Sequence, residues 1–266
     1  MFPRLIDLGP ITLHSYGLLL AAAFLVSIGL VSRLAKESAL RNRAWDLGFI
    51  IIVSAVLGAK LLLVLTDLDG YLQRPSRLLS LEFWQAGGVY YGGFIGAVVG
   101  IAIYIWRSPD LKFLTVADAA APAIALGQSI GRLGCFAAGC DYGKPANLPW
   151  AVTFTSEYAH KYIGVPIHVP LHPAQLYESL TTFFLFWVLL WIYKNKRFAG
   201  QVFCLYLVLY GAARFGLEFF RGDVDRGFVF GGLLSTSQFI SLLIFPAGIV
   251  AYFYFRSRSL RRSGGV

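Results

Sequence analysis

The chain has 266 residues, a formal net charge of +9, 57% hydrophobic and 14% charged residues, and a mean hydropathy of +0.65. A soluble domain carries about 45–50% apolar residues, so the composition excludes a water-soluble globule and predicts an all-α polytopic membrane protein. The basic excess sits in short segments between apolar runs, where it reads as topology and contact with anionic lipid, not as nucleic-acid binding.

The first ten residues lack the basic, apolar and small-residue order of a cleavable leader, so the first apolar run is expected to remain as a span. His14-Ser15-Tyr16-Gly17 opens that run, at about 15–32. A second run covers about 45–65 and a third about 89–106. In the third, Gly88, Gly92, Gly96 and Gly100 recur every four residues, the pattern of a close helix–helix packing face. The preceding Gly87 to Gly93 segment also has the means to expose backbone to a ligand.

The fourth run, about 114–138, is interrupted by Asp118, Pro122, Gln128 and Arg132 and reads as a broken helix lining a cavity. An arginine near a bilayer centre costs about 2.5–3.5 kcal/mol on insertion scales, so Arg132 calls for a partner anion, a wet cavity or a route to the interface. Gly131, Gly134 and Gly143 punctuate its surroundings. A long loop follows at about 139–171, with Trp150, Tyr158, Tyr162, His160 and His168. The two histidines, eight residues apart with no cysteine or carboxylate at ligand spacing, do not suggest zinc.

His172-Pro173 starts the fifth span, about 174–193, and Gln175 and Glu178 share a face just inside it. In the sixth, about 200–219, Tyr210, Arg214 and Glu218 are four apart and Arg221 is three further on. This stripe has a self-satisfying Arg214–Glu218 pair and, with Arg221, a surplus positive charge for an outside anion. A seventh span covers about 234–255. Thirteen basic residues follow spans one, three, five and seven, against seven in the intervening loops. The positive-inside rule then places the N-terminus outside and the C-terminus in the cytoplasm. We read residues 1–266 as a single membrane-embedded domain. Cys204 reads as a small buried hydrophobe. Cys135 and Cys140 would point about 140° apart on a continuous helix, so pairing them requires a break near Gly139.

In this order, His14 to Gly17, the Gly87 to Gly96 stretch, Asp118 with Ala121-Pro122, Gly131 to Gly134, His172 to Glu178 and Arg214 to Arg221 together resemble the prolipoprotein diacylglyceryl transferase family. The resemblance implies a seven-helix enzyme of the bacterial inner membrane that uses no cofactor or metal. Its reaction moves diacylglyceryl from phosphatidylglycerol to the lipobox cysteine of a prolipoprotein signal peptide, releasing glycerol phosphate. It also implies that Arg132 holds the headgroup, that Arg214 assists at the phosphate and that Tyr16, Tyr210 and Glu218 shape the site. Arg221, Gln175, Glu178, Gly131, Gly134 and Gly143 are the further candidates for substrate contact.

The chain departs from the family signature at four positions. Cys135, Ala138 and Cys140 stand where two asparagines and a glutamate are usual, and Tyr91 stands where a histidine is typical. A phenol is a poor base at neutral pH, so His14, His172, Asp141 and Tyr91 all remain candidates for proton removal. The competing readings are a non-catalytic binder or transporter of anionic phospholipid, a related transferase with another acceptor, and a thiol oxidoreductase using Cys135 and Cys140.

Overall fold

A computed structural model describes residues 3–7, 12–80, 83–84, 88–223 and 226–263. Among these, six helices are long and apolar enough to cross a membrane, and a shorter apolar helix has 17 residues, which agrees with the seven expected runs. The helices are α1 (Ser15–Leu34), α2 (Ser38–Thr66), the short α3 (Leu68–Gln73), α4 (Tyr90–Trp106), α5 (Phe113–Ala138), the short α6 (Glu157–Ile163), α7 (Ala174–Lys194), α8 (Gln201–Leu217) and α9 (Thr236–Ser263). Two-residue to four-residue strands form three small antiparallel pairs, the first joining Arg4–Asp7 to Thr12–His14.

The chain divides into two compact units, one of Met1–Val31 with Leu114–Val266 and the other of Ser32–Phe113. In the second unit the glycine stripe packs as its spacing predicts. A side chain at Gly92 or Gly96 would strike the backbone of Gly58 or Ser54 on α2, and one at Gly88 would strike Ala59. Removing these Cβ atoms lets α2 and α4 touch backbone to backbone, where dispersion contacts are densest. Lys60, 9% exposed, donates to the Phe83 carbonyl and lies 4.7 Å from the Phe83 ring centroid. Gly87 lies outside the described residues.

The first unit is a set of helices that alternate in direction. Gly134 packs on Tyr16 and Leu19 while Gly127 packs on Ser27, so α1 and α5 are antiparallel. The hydroxyls of Ser129 and Ser179 meet at 3.1 Å, and Gln175 donates to the Cys140 carbonyl at 2.7 Å, which sets α7 antiparallel to α5. Gly211 against Phe245 and Gly248 against Leu207 do the same for α8 and α9. One end of this unit therefore collects the start of α1, the end of α5, the start of α7, the end of α8 and the start of α9.

At the other end, Asp118 is 0% exposed. Its carboxylate accepts from the backbone N–H groups of Gly200, Val202 and Phe203 at 2.9–3.0 Å and from Lys196 Nζ at 3.0 Å. The acid thus satisfies the orphan donors at the start of α8 and complements its dipole. The helix carrying Asp118 is continuous through Pro122, which corrects the expectation of a break. Ser27 Oγ donates to the Ala123 carbonyl at 3.0 Å beside the proline.

The helix ends instead at Gly139, whose φ of 93° is open to glycine. The segment beyond it folds as a cap with its own core of Phe154, Ala159, Val165 and Leu171, packed by Phe136, Tyr142 and Val169. Inside it, His160 Nδ1 lies 2.9 Å from the Val165 carbonyl oxygen, and the His168 N–H donates to Phe154 at 3.0 Å. Both histidines thus hold the cap together.

Candidate active site: an arginine cluster beside an aromatic cavity

Helices α5, α7 and α8 and the segments that follow α5 and α8 place four guanidinium groups and four carboxylates at the end where α1, α5, α7 and α8 meet. Glu178, one turn into α7, is the hinge of the cluster. Its Oε1 lies 3.0 Å from Arg132 Nε and its Oε2 4.0 Å from Arg214 Nη1. Arg214 also contacts Glu218 at 2.7 Å, one turn later and just past the end of α8, and donates to Ser237 Oγ at 2.9 Å. Glu218 in turn lies 3.1 Å from Arg226 Nε. A buried carboxylate left alone would be costly, and so would a buried guanidinium; shared pairs make the cluster tolerable.

Asp141, at a φ of 58° just after the helix break, joins the two halves. Its carboxylate pairs with Arg132 and, at 2.6 Å, with Arg221 Nη2. Burial alone would raise the Asp141 carboxyl, but the two guanidinium groups hold it below the usual carboxylate range. It is therefore a charged anchor and a weak base. Arg221 does not continue the α8 stripe, because the helix gives way to a single 3-10 turn, Glu218–Phe220. Its guanidinium swings to Asp141 and to Asp223, 2.5 Å away. The surplus charge expected from Arg221 is thus neutralised.

Beside the cluster lies a cavity of about 300 Å³ lined by Pro3, His14, Tyr16, Ala138, Cys140, Tyr158, Tyr162 and Ile163. His14 Nε2 is 3.3 Å from the Tyr158 hydroxyl. Tyr16, 40% exposed, is available at the cavity wall. Tyr210 stacks on Tyr206 with centroids 5.5 Å apart. Gln175 is 1% exposed and its amide oxygen has no hydrogen-bond partner among the described residues.

Other candidates have structural duties. His172 Nδ1 lies 3.2 Å from the Tyr177 hydroxyl, which also accepts from Trp150 Nε1 at 2.7 Å. Gly143 is threaded against the His172 backbone, where a Cβ would clash, and pairs with Arg221 in an isolated bridge. Gly134 allows the close approach of α1, while a Cβ at Gly131 meets nothing within 4 Å. Tyr91 belongs to the Ser32–Phe113 unit and is 47% exposed. Sequence reasoning missed Asp223 and Arg226, whose signal was the charge alternation after Arg221.

All three cysteines are free. One donor atom each from Cys135, Cys140 and Asp141 lie within 4.8 Å of one another. A cation there would have to displace Arg132 and Arg221 from Asp141, so the donor set does not fit a metal well.

The sequence profile of prolipoprotein diacylglyceryl transferase matches residues 3–254. A phosphatidylglycerol–prolipoprotein diacylglyceryl transferase of Clostridium tetani (strain Massachusetts / E88) is 36% identical over 254 residues, covering 95% of this chain and 97% of its own. The protein of that name from Bordetella avium (strain 197N) is 36% identical over 267 residues, covering 98% and 97%. One from Finegoldia magna is 34% identical over 249 residues, covering 92% of each. With profile and relatives spanning nearly its whole length, the chain belongs to the prolipoprotein diacylglyceryl transferase family.

Proposed function

We infer that this chain transfers the diacylglyceryl group of phosphatidylglycerol to the lipobox cysteine of a prolipoprotein, forming a thioether and releasing glycerol phosphate. The observation that carries the chemistry is the sharing of Glu178 by Arg132 and Arg214, at 3.0 and 4.0 Å. Guanidinium forks that pair with carboxylate oxygens also pair with the oxygens of a phosphate. Glu178, Asp141 and Glu218 hold the forks in place before lipid arrives, and little reorganisation is left for the reaction.

In this reading the headgroup phosphate takes the Arg132 and Arg214 donors. The acceptor cysteine occupies the aromatic cavity, and its thiol loses a proton to His14, the one imidazole on the cavity wall. The thiolate attacks the glyceryl carbon, the carbon–oxygen bond to phosphate breaks, and the arginines stabilise the departing phosphate oxygen where water is scarce. Gln175 offers its unpartnered oxygen to a hydroxyl donor such as the headgroup glycerol. Arg221 and Tyr210 set the edges of the site, while Tyr16 lines the cavity. Lys194, Lys196, Arg197, Arg256, Arg258 and Arg261 lie at the end of this unit opposite Arg132. Their excess supports a cytoplasmic C-terminus, with the site opening on the outer face of the bacterial inner membrane.

The test is incubation of the purified protein in detergent with phosphatidylglycerol and a lipobox peptide, followed by mass spectrometry. The expected product is a diacylglyceryl thioether on the peptide cysteine. Lipid binding without that adduct would overturn the transferase reading.

A further inference from the structure

We propose that Cys135 and Cys140 form a reversible disulfide, a modification site for small disulfide oxidants whose closure displaces Arg132 and Asp141 from their positions in the anion site. The second half of this proposal rests on the transferase reading above; the first does not.

The backbone is what makes the pair. Cysteines five apart on a continuous helix point away from each other. Here α5 stops at Gly139, whose N–H donates to the Cys135 carbonyl at 2.8 Å and whose φ is 93°. The reversal returns the Cys140 thiol to the end of its own helix, 3.8 Å from the Cys135 carbonyl oxygen. The two sulfurs lie within 4.8 Å of each other, and a bond requires about 2.05 Å. Side-chain rotation and a small backbone shift close that gap.

The pair is also placed to react. Cys140 is half-buried and lines the aromatic cavity, which provides an approach for an oxidant. The neighbouring Cys135 thiol, against the opposing pull of burial, holds the Cys140 thiol below its ordinary value. The Cys140 thiolate attacks one sulfur of the oxidant disulfide and expels one thiolate. Cys135 loses its proton and attacks the Cys140 sulfur of the mixed disulfide, expelling the second thiolate. Two electrons and two protons leave the cysteines, and one oxidant disulfide becomes two thiols.

The consequence follows from what touches the pair. Arg132 Nη1 is 3.9 Å from Cys135 Sγ and pairs with Asp141, the residue after Cys140. The Cys140 carbonyl holds Gln175 Nε2 at 2.7 Å. Drawing Cys140 toward Cys135 therefore moves Asp141, Arg132 and Gln175 together. Misplacing a phosphate-holding group by about 1 Å costs up to about a hundredfold in rate.

The experiment treats the purified protein with 2-hydroxyethyl disulfide in the presence of EDTA, traps free thiols with iodoacetamide, and measures the peptide from Leu133 to Lys161. The expected result is a peptide lighter by two hydrogen atoms and unalkylated in the wild type and in Cys204→Ala. In Cys135→Ser the expected species is a mixed disulfide on Cys140. Recovery of the wild-type peptide with both thiols alkylated would overturn the disulfide. Thioether formation is expected to fall by up to about a hundredfold on oxidation and to return with a thiol reductant. Unchanged turnover with the disulfide formed would overturn the coupling to Arg132. Because the mass change needs no turnover, a protein inactive in both states fails as a transferase while leaving the disulfide result to stand or fall alone. Retention of phosphatidylglycerol by native mass spectrometry then reads the coupling, with equal retention in both states overturning it.

Discussion

Helix α5 withdraws two charges from water, Asp118 fully and Arg132 in part, fourteen residues or about 21 Å apart, and the two ends of the helix solve the same problem differently. Asp118 is fully enclosed and meets three backbone N–H groups and one lysine. Every partner belongs to the first turn of α8 or to the connection leading into it, and the carboxylate is enclosed. Arg132 has a side chain 21% exposed and is held by two carboxylates from two other segments. Burial of charge therefore marks function poorly. What separates the two regions is whether the partners close the charge off or hold it open toward a cavity.

The difference is sharpest in what substitutions do. Asp118→Ala leaves the α8 N-terminus and Lys196 without their anion and is expected to destabilise the protein by about 3–5 kcal/mol. Thermal unfolding in detergent reads this loss, and turnover per folded molecule should be unchanged. A matching loss of turnover would break the comparison. Arg132→Ala should do the reverse, cutting thioether formation by about 10²–10³-fold in a protein that still purifies folded. His14→Gln is expected to lower the rate by about a hundredfold. An unaltered rate would move the base elsewhere.

The smallest effect concerns Asp141. Its carboxyl is lowered on folding, so its contribution to stability is complete above the unfolded value of about 3.9 and is lost as pH falls through the folded value. The Tm difference between wild type and Asp141→Asn should be about 2–4 °C and flat from neutrality down to about pH 4. Below that it should narrow. A gap that instead closes between pH 7 and 5 would contradict the assignment of Asp141 as a charged anchor.

Much of this architecture is written locally. The apolar runs forecast the spans, and the four-residue glycine spacing forecasts the backbone contact of α2 with α4, because both depend on one helix's own periodicity. Arg132, Arg214 and Glu178 stand out because charges are rare in such runs. The rest is non-local. Asp118 looks like an interruption of its helix until Gly200 to Phe203, over eighty residues later, supply the donors. Asp141 looks like one base candidate among four until the positive φ at Gly139 and Asp141 turns it back toward Arg132 and Arg221. The stripe from Tyr210 to Arg221 misleads, since helical spacing does not survive the 3-10 turn at Glu218–Phe220, and the expected surplus charge is absorbed by Asp141 and Asp223.

If Arg132 and Arg214 grip one phosphate across Glu178, native mass spectrometry of lipid retention reads that grip without turnover. Wild type and Asp118→Asn should both carry phosphatidylglycerol through purification, and Arg132→Ala and Arg214→Ala should each lose it. Retention equal to wild type in both arginine variants would contradict the account.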